Sequence, residues 1–169
     1  MLTVAIDPGN DTGWALLEGA LLIACGLGDP RACERHRLDR VGRVVVEYPR
    51  HTRGRSTPND LIALAWGGAK WVGRYETLCD YVTILTPTPE KWKGGVPKDI
   101  HHERVWGKLM PDEKKLVAPF LYGHLLDLIP AEDRKLYVPP VRGKGVPDRK
   151  RHNVFDAVGL GLWSAGRAA

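Results

Sequence analysis

The sequence predicts a mixed α/β fold in which an antiparallel three-strand meander is followed by parallel strands that alternate with helices. Three observations carry this expectation. Two short apolar runs, residues 2–7 and 13–18, flank Pro8-Gly9-Asn10-Asp11-Thr12, so they read as strands joined by a turn. A third apolar run, residues 20–26, follows almost at once and completes a meander. Farther on, the runs 43–47 and 81–86 are separated by a helical stretch, which is the spacing of a strand-helix-strand unit.

The intervening elements follow from local chemistry. Residues 27–42 form a charged connection with room for one or two helical turns, and residues 48–59, rich in Arg, Pro, Thr and Ser, form a polar loop. A helix is expected from Pro58 to about Cys79, capped by Asn59 or Thr57. Its small residues Ala65, Gly67, Gly68 and Ala69 would let it approach the sheet closely. Pro87-Thr88-Pro89 ends the strand at 81–86, and Gly94-Gly95-Val96-Pro97 turns the chain into a helix from Lys98 to Leu109. A helix around 119–129 is expected between Pro-rich joins, then a basic loop at 142–151. The apolar segment from Val154 to Trp163 reads as a buried terminal helix.

With 169 residues the chain can bury a core without disulfide staples, and residues 1–169 read as one domain. Cys25, Cys33 and Cys79 are odd in number and lack metal-type spacing, as expected of reduced thiols. No apolar stretch is long enough to span a bilayer. The N-terminal residues show no basic stretch leading into an apolar signal segment, so a cytoplasmic location is expected. The formal charge of +5 and pI near 9.2 fit a polyanionic partner without requiring one.

The chemistry lies in three acids. Asp7 ends the first strand, Glu47 closes the run Val44-Val45-Val46, and Asp156 sits in the terminal helix. A buried carboxylate is costly unless it is paired or metal-bound, and three of them point to one shared cation site. Phosphodiester hydrolysis builds charge on the attacking and leaving oxygens, and two divalent ions can stabilise both while activating water. Magnesium prefers hard oxygen ligands and keeps several waters, so a few carboxylates suffice.

The motifs Ile6-Asp7-Pro8-Gly9 with Thr12-Gly13, Val46-Glu47, and Phe155-Asp156-Ala157 resemble those of ribonuclease H-like nucleases, most closely the RuvC-type Holliday junction resolvases. The likeness extends through residues 60–79, 81–86 and 89–98. It implies a ribonuclease H-like mixed sheet flanked by helices and two Mg2+ ions, with Mn2+ as a substitute. Asp7 would bridge the ions, with Glu47 on one and Asp156 on the other. Three departures stand out. The segment before Glu47 is short and residues 110–150 are long. The family's fourth ligand, three residues before the last Asp, is here Asn153, with His152 beside it. Either residue shares a helix face with Asp156. This trimmed and re-elaborated pattern suggests a bacteriophage-type member.

For DNA, the resemblance points to the loop after Glu47, which carries Tyr48, Arg50, Arg53 and Arg55. Lys91, Lys93 and Lys98 form a second basic group, and Arg149, Lys150 and Arg151 belong to a third. Cations neutralise phosphates and an aromatic stacks on an unpaired base. Symmetric junction cleavage needs two active sites, so the resemblance implies a homodimer, with helix 60–79, Trp66 and Trp71 as the candidate interface. His101-His102-Glu103 read as surface or phosphate-contacting residues, and Trp92, Trp106 and Trp163 as core. The alternatives are a non-cleaving binder of branched nucleic acid, a ribonuclease H or flap-type nuclease, and a sugar-kinase or actin-like ATPase. The last needs a second domain of the same kind.

Overall fold

A computed structural model describes residues 1–9, 11–30, 40–49, 57–137 and 147–167, without the side chains of residues 148 and 149. Five strands form one sheet: β1 Leu2–Asp7, β2 Gly13–Glu18, β3 Leu21–Leu27, β4 Val41–Val46 and β5 Thr83–Leu85. Their order across the sheet is β3-β2-β1-β4-β5. The first three pair antiparallel, whereas β4 lies parallel to β1 and β5 parallel to β4. This is the mixed sheet, an antiparallel meander followed by parallel strands, that the sequence predicts.

Alternation along β1 divides the core. Ala5 packs toward one face with Leu17, Val45, Trp106, Phe155 and Leu160. Val4 and Ile6 pack toward the other with Leu16, Val44, Val46 and Tyr75. That alternation is the period-two signature of a strand covered on both sides.

The second face is covered by α1, Pro58–Leu78. Thr57 caps it: its hydroxyl accepts from Asp60 N at 3.3 Å, and the Asp60 carboxylate accepts from Thr57 N at 2.8 Å. Such a reciprocal box satisfies two backbone donors that a helix start leaves open. Gly68 lets α1 close on Val46, where an added Cβ would lie 3.3 Å from the valine methyl. Only Gly68 and Tyr75 of α1 are buried. Ile62 and Trp66 are 66% and 67% exposed, and Trp71 packs partly against the core.

The first face carries the remaining helices: α2 Pro89–Trp92, α3 Lys98–Lys108, α4 Pro111–Val117, α5 Gly123–Leu126, α6 Ala131–Arg134 and α7 Asp148–Ser164. The expected single helix at 119–129 is instead a 3-10 turn at Ala118–Phe120 followed by the one-turn α5. Pro119, which lacks an amide donor, and Gly123 break the helical run between them. The terminal helix starts earlier than its apolar run, at Asp148, which places Asp156 in its third turn. Strand β5 is also shorter than its apolar run. The expected turns in 27–42 fall largely on residues 31–39, outside the described residues.

Helix α7 packs across β1 and β2 through glycines. A Cβ on Gly13 would collide with the backbone of Asn153, and one on Gly161 would lie 2.5 Å from Leu17 Cδ1; Gly159 instead lets α7 close on α3, where a Cβ would lie 2.9 Å from both His101 Nε2 and Val105 Cγ2. Trp92 and Trp106 are core residues as expected, 2% and 1% exposed, whereas Trp163 is partly buried at the core's margin. Among the described residues, no helix is long and apolar enough to cross a membrane.

Candidate active site

Parallel pairing of β1 with β4 places two of the three acids together. The last registered pair is Ile6 with Val46, and Glu47 N continues the ladder by donating to Ile6 O at 3.1 Å. Asp7 and Glu47 therefore leave the same edge of adjacent strands. Helix α7 crosses over that edge with Asp156, which is only 2% exposed.

The three carboxylates sense one another. Burial, then the charges of Asp156 and Glu47, raise the proton affinity of Asp7 well above the ordinary carboxylate value, with Lys98 and Lys93 offsetting part of the effect. Glu47 is also raised, chiefly by burial. Burial acts on Asp156 in the same sense, but the hydrogen bond from His102 and the charges of Lys98 and Lys93 outweigh it and hold this carboxyl well below its usual range. The surroundings thus favour the ionised form of Asp156 and oppose that of Asp7.

Two lysines stand among the acids. Lys93 Nζ lies 3.3 Å from Glu47 Oε2 and 3.7 Å from Asp156 Oδ1, so one ammonium touches both. Lys98 Nζ is 2.5 Å from Asp156 Oδ2. Burial opposes the charge on Lys93, yet the carboxylates Asp156, Glu47 and Asp7 raise its proton affinity overall. Both lysines read in the sequence as phosphate contacts, but their closest charged partners here are these carboxylates.

Two neighbours went unrecognised in the sequence. Trp92 Nε1 donates to Glu47 Oε2 at 2.9 Å. His102 Nε2 lies 3.1 Å from Asp156 Oδ1, and its Nδ1 lies 2.6 Å from the Tyr122 hydroxyl. The surface reading of His101 and His102 is corrected, since they are 5% and 0% exposed. Burial, then the neighbouring His102, lowers His101 to about 4, and its ring meets Trp92 edge-on at 4.9 Å. The missed signal is spacing: Lys98, His102 and Trp106 recur every four residues, on one face of α3.

The fourth-ligand candidates differ in what they do. Asn153 Nδ2 donates to Asp11 O at 2.7 Å, fastening α7 to the β1–β2 turn. His152 is half-buried, and burial followed by the charge of Lys98 lowers its proton affinity, keeping the imidazole neutral.

The remaining candidate DNA contacts differ in their placement. Tyr48 is 55% exposed beside Glu47, and Lys91 is exposed on α2. Lys150 Nζ pairs with Asp11 at 2.5 Å. Arg151 is no surface contact: it is 3% exposed, donates to Leu121 O at 2.5 Å and lies over the Tyr137 ring. Helix periodicity puts Arg151 on the buried face with Val154, Phe155 and Val158, a pattern masked by the basic run around it. Arg50, Arg53, Arg55 and the Arg149 side chain lie outside the described residues.

Among the described residues, no three His, Cys, Asp or Glu side chains already form a metal-binding cluster. The donor chemistry nonetheless fits a hard divalent cation, because the three acids supply carboxylate oxygens and the charges of Lys93 and Lys98 offset only part of what opposes ionised Asp7. Glu47 also lines a cavity of about 330 Å³ under α1, together with Tyr48, Gly68, Val72 and Thr86.

The fold and site define an α/β protein with a mixed five-stranded sheet and an acidic centre at one end of its central strands. No protein-family model matches the chain, and no curated protein matches it. Solved structures similar to it include Thermus thermophilus RuvC in complex with a Holliday junction substrate, at 18% identity, 96% coverage of this chain, 92% of that chain and a TM-score of 0.44. A second Thermus thermophilus RuvC structure has 16% identity, the same coverage and a TM-score of 0.41.

Proposed function

We propose that this chain is a divalent-metal-dependent, structure-specific DNA endonuclease that cuts four-way junctions by paired phosphodiester hydrolysis as a homodimer. The observation that carries this reading is the convergence of Asp7, Glu47 and Asp156 at one sheet edge, close enough that the latter two raise the proton affinity of Asp7. A protein that only needed stability would not keep such a repulsive set, and a nuclease centre needs it.

Asp7, Glu47 and Asp156 would hold Mg2+ or Mn2+, with an added ligand from His152 or from Asn153 Oδ1, the Asn153 Nδ2 being engaged with Asp11 O. The bound cations would supply Lewis-acid stabilisation of charge on the phosphate oxygens. Trp92 orients Glu47, His102 orients Asp156, and Lys93 and Lys98 bring positive charge to where a phosphate would approach. Exposed Tyr48 and Lys91, together with Arg50, Arg53, Arg55 and Arg149, would contact the DNA. The exposed Ile62 and Trp66 of α1 give the homodimer an apolar surface to bury.

The test is incubation of the purified protein with a labelled four-way junction, a linear duplex and an RNA–DNA hybrid, with Mg2+ or EDTA, beside Asp7→Asn. Paired nicks near the crossover, lost with EDTA and in the variant, are the expected result. Cleavage of the hybrid alone would move the assignment to a ribonuclease H. A second reading, a non-cleaving junction binder, draws on the close Lys98–Asp156 pair, which already neutralises one acid. Junction binding without nicking at any divalent-ion concentration would establish it.

A further inference from the structure

We propose that His102 and Tyr122 form a buried strut that positions the Asp156 carboxylate to receive a divalent cation, an inference that rests on the metal-dependent reading above.

Asp156 has two kinds of partner. Lys98 reaches Oδ2, but its side chain is 48% exposed and can exchange with solvent or another cation. His102 reaches Oδ1 from a side chain that is 0% exposed. Its ring is wedged against Phe155 at 5.3 Å and edge-on to Tyr122 at 5.9 Å between centroids, so it cannot swing away without displacing the core.

The hydrogen bonds then have a direction. An ionised carboxylate only accepts, so His102 Nε2 carries the proton in its bond to Asp156. Burial holds the Tyr122 hydroxyl protonated, well above the usual range for tyrosine, and this hydroxyl faces Nδ1 at 2.6 Å. With that hydroxyl donating, Nδ1 accepts, which fixes the Nε2–H tautomer.

The bland account is that His102 merely satisfies a buried acid. That account predicts lost stability when His102 is removed, but no selective loss of cation affinity. Positioning predicts both, because partners that orient a ligand typically change metal affinity by about 10–100-fold when removed. It also gives residues 110–137 a task, since Tyr122 precedes α5 and reaches the site from that segment.

The experiment measures Mn2+ affinity by electron paramagnetic resonance in the wild type, His102→Leu, His102→Gln and Tyr122→Phe. Junction binding in EDTA and circular dichroism serve as controls. His102→Leu should weaken Mn2+ binding by about 10–100-fold with junction binding retained. His102→Gln, which restores a donor near the Nε2 position, should recover most of the affinity, and Tyr122→Phe should show a smaller loss. Unchanged affinity in both His102→Leu and Tyr122→Phe overturns the strut while leaving the metal reading intact. A wild type that binds no Mn2+ overturns the metal reading and the strut with it. Should His102→Leu not fold, Tyr122→Phe decides, because it removes one hydroxyl and keeps the ring packing.

Discussion

The indole of Trp92 donates to Oε2 of Glu47 at 2.9 Å, tying α2 to the residue that follows β4. Trp92 is itself 2% exposed, so core packing fixes the direction in which Glu47 points. A hydrogen bond to a charged group contributes about 1.5–3 kcal/mol. Trp92→Phe, which keeps most of the ring volume, should destabilise the protein by about 2 kcal/mol in urea unfolding, to which lost packing also contributes. Junction cleavage should fall by more than junction binding. Equal losses in both would assign Trp92 to packing alone.

Asp7 and Asp156 should respond oppositely when neutralised. Ionised Asp7 is held against burial and two neighbouring anions, so Asp7→Asn should raise the melting temperature of the metal-free protein. Asp156 is stabilised as an anion by His102, Lys98 and Lys93, so Asp156→Asn should lower it. Both variants, like Glu47→Gln, should abolish cleavage. The gain from Asp7→Asn should grow as pH rises above 3.8, the ordinary Asp value, because there the unfolded chain ionises this group while the fold opposes its ionisation, and it should level off once pH passes the raised folded-state value. Differential scanning calorimetry across pH checks the sign.

Glu113 gathers four donors: Leu22 N at 2.7 Å, Met110 N at 2.8 Å, and Arg167 Nη1 and Nη2 at 2.6 and 2.8 Å. Removing one partner of a buried, hydrogen-bonded ion pair typically costs about 3–5 kcal/mol, and Glu113→Ala should fall in that range. Burial raises the Glu113 carboxyl, but the Arg167 bond and the two backbone donors outweigh it and bring it below 4.5. Its stabilisation is therefore present above pH 4.5 and lost as pH falls through the lowered value. A urea midpoint that declines with acid in the wild type but less so in Glu113→Ala would confirm the assignment.

Gly13 admits the α7 backbone beside β2, and a methyl group there would meet the main chain of Asn153 rather than a flexible side chain. Gly13→Ala should cost about 3 kcal/mol or more, because backbone has little room to yield. It should also displace Asp156, so cleavage would fall further than the residual folded fraction explains. A fully active, stable Gly13→Ala protein would show that α7 can shift without disturbing the acids.

Legibility in the sequence followed periodicity. The meander, the start of α1 with its cap narrowed to Asn59 or Thr57, and the strand-end positions of Asp7 and Glu47 were readable because strand alternation, turn residues and caps act over a few residues. His102 and Arg151 were misread because each sits in a polar run that looks like surface, while its burial is decided by elements distant in sequence. His102 lies inside because α3 is flanked by α7 and by the Tyr122 segment. Arg151 lies inside because its guanidinium finds a carbonyl at Leu121, 30 residues away. Lys93 and Lys98 read in the sequence as phosphate contacts, but their immediate partners are acids, a distinction composition cannot make.

The contact between Asn153 and Asp11 spans 142 residues, and the same closure brings Asp156 to Asp7 and Glu47. Hairpin and α7 are translated far apart in time. A nascent chain can complete its meander and bind β4 while its third carboxylate is still in the ribosome. In the proposed nuclease, cutting power would switch on only when α7 docks, so an arrested or truncated product would carry two acids and threaten no DNA.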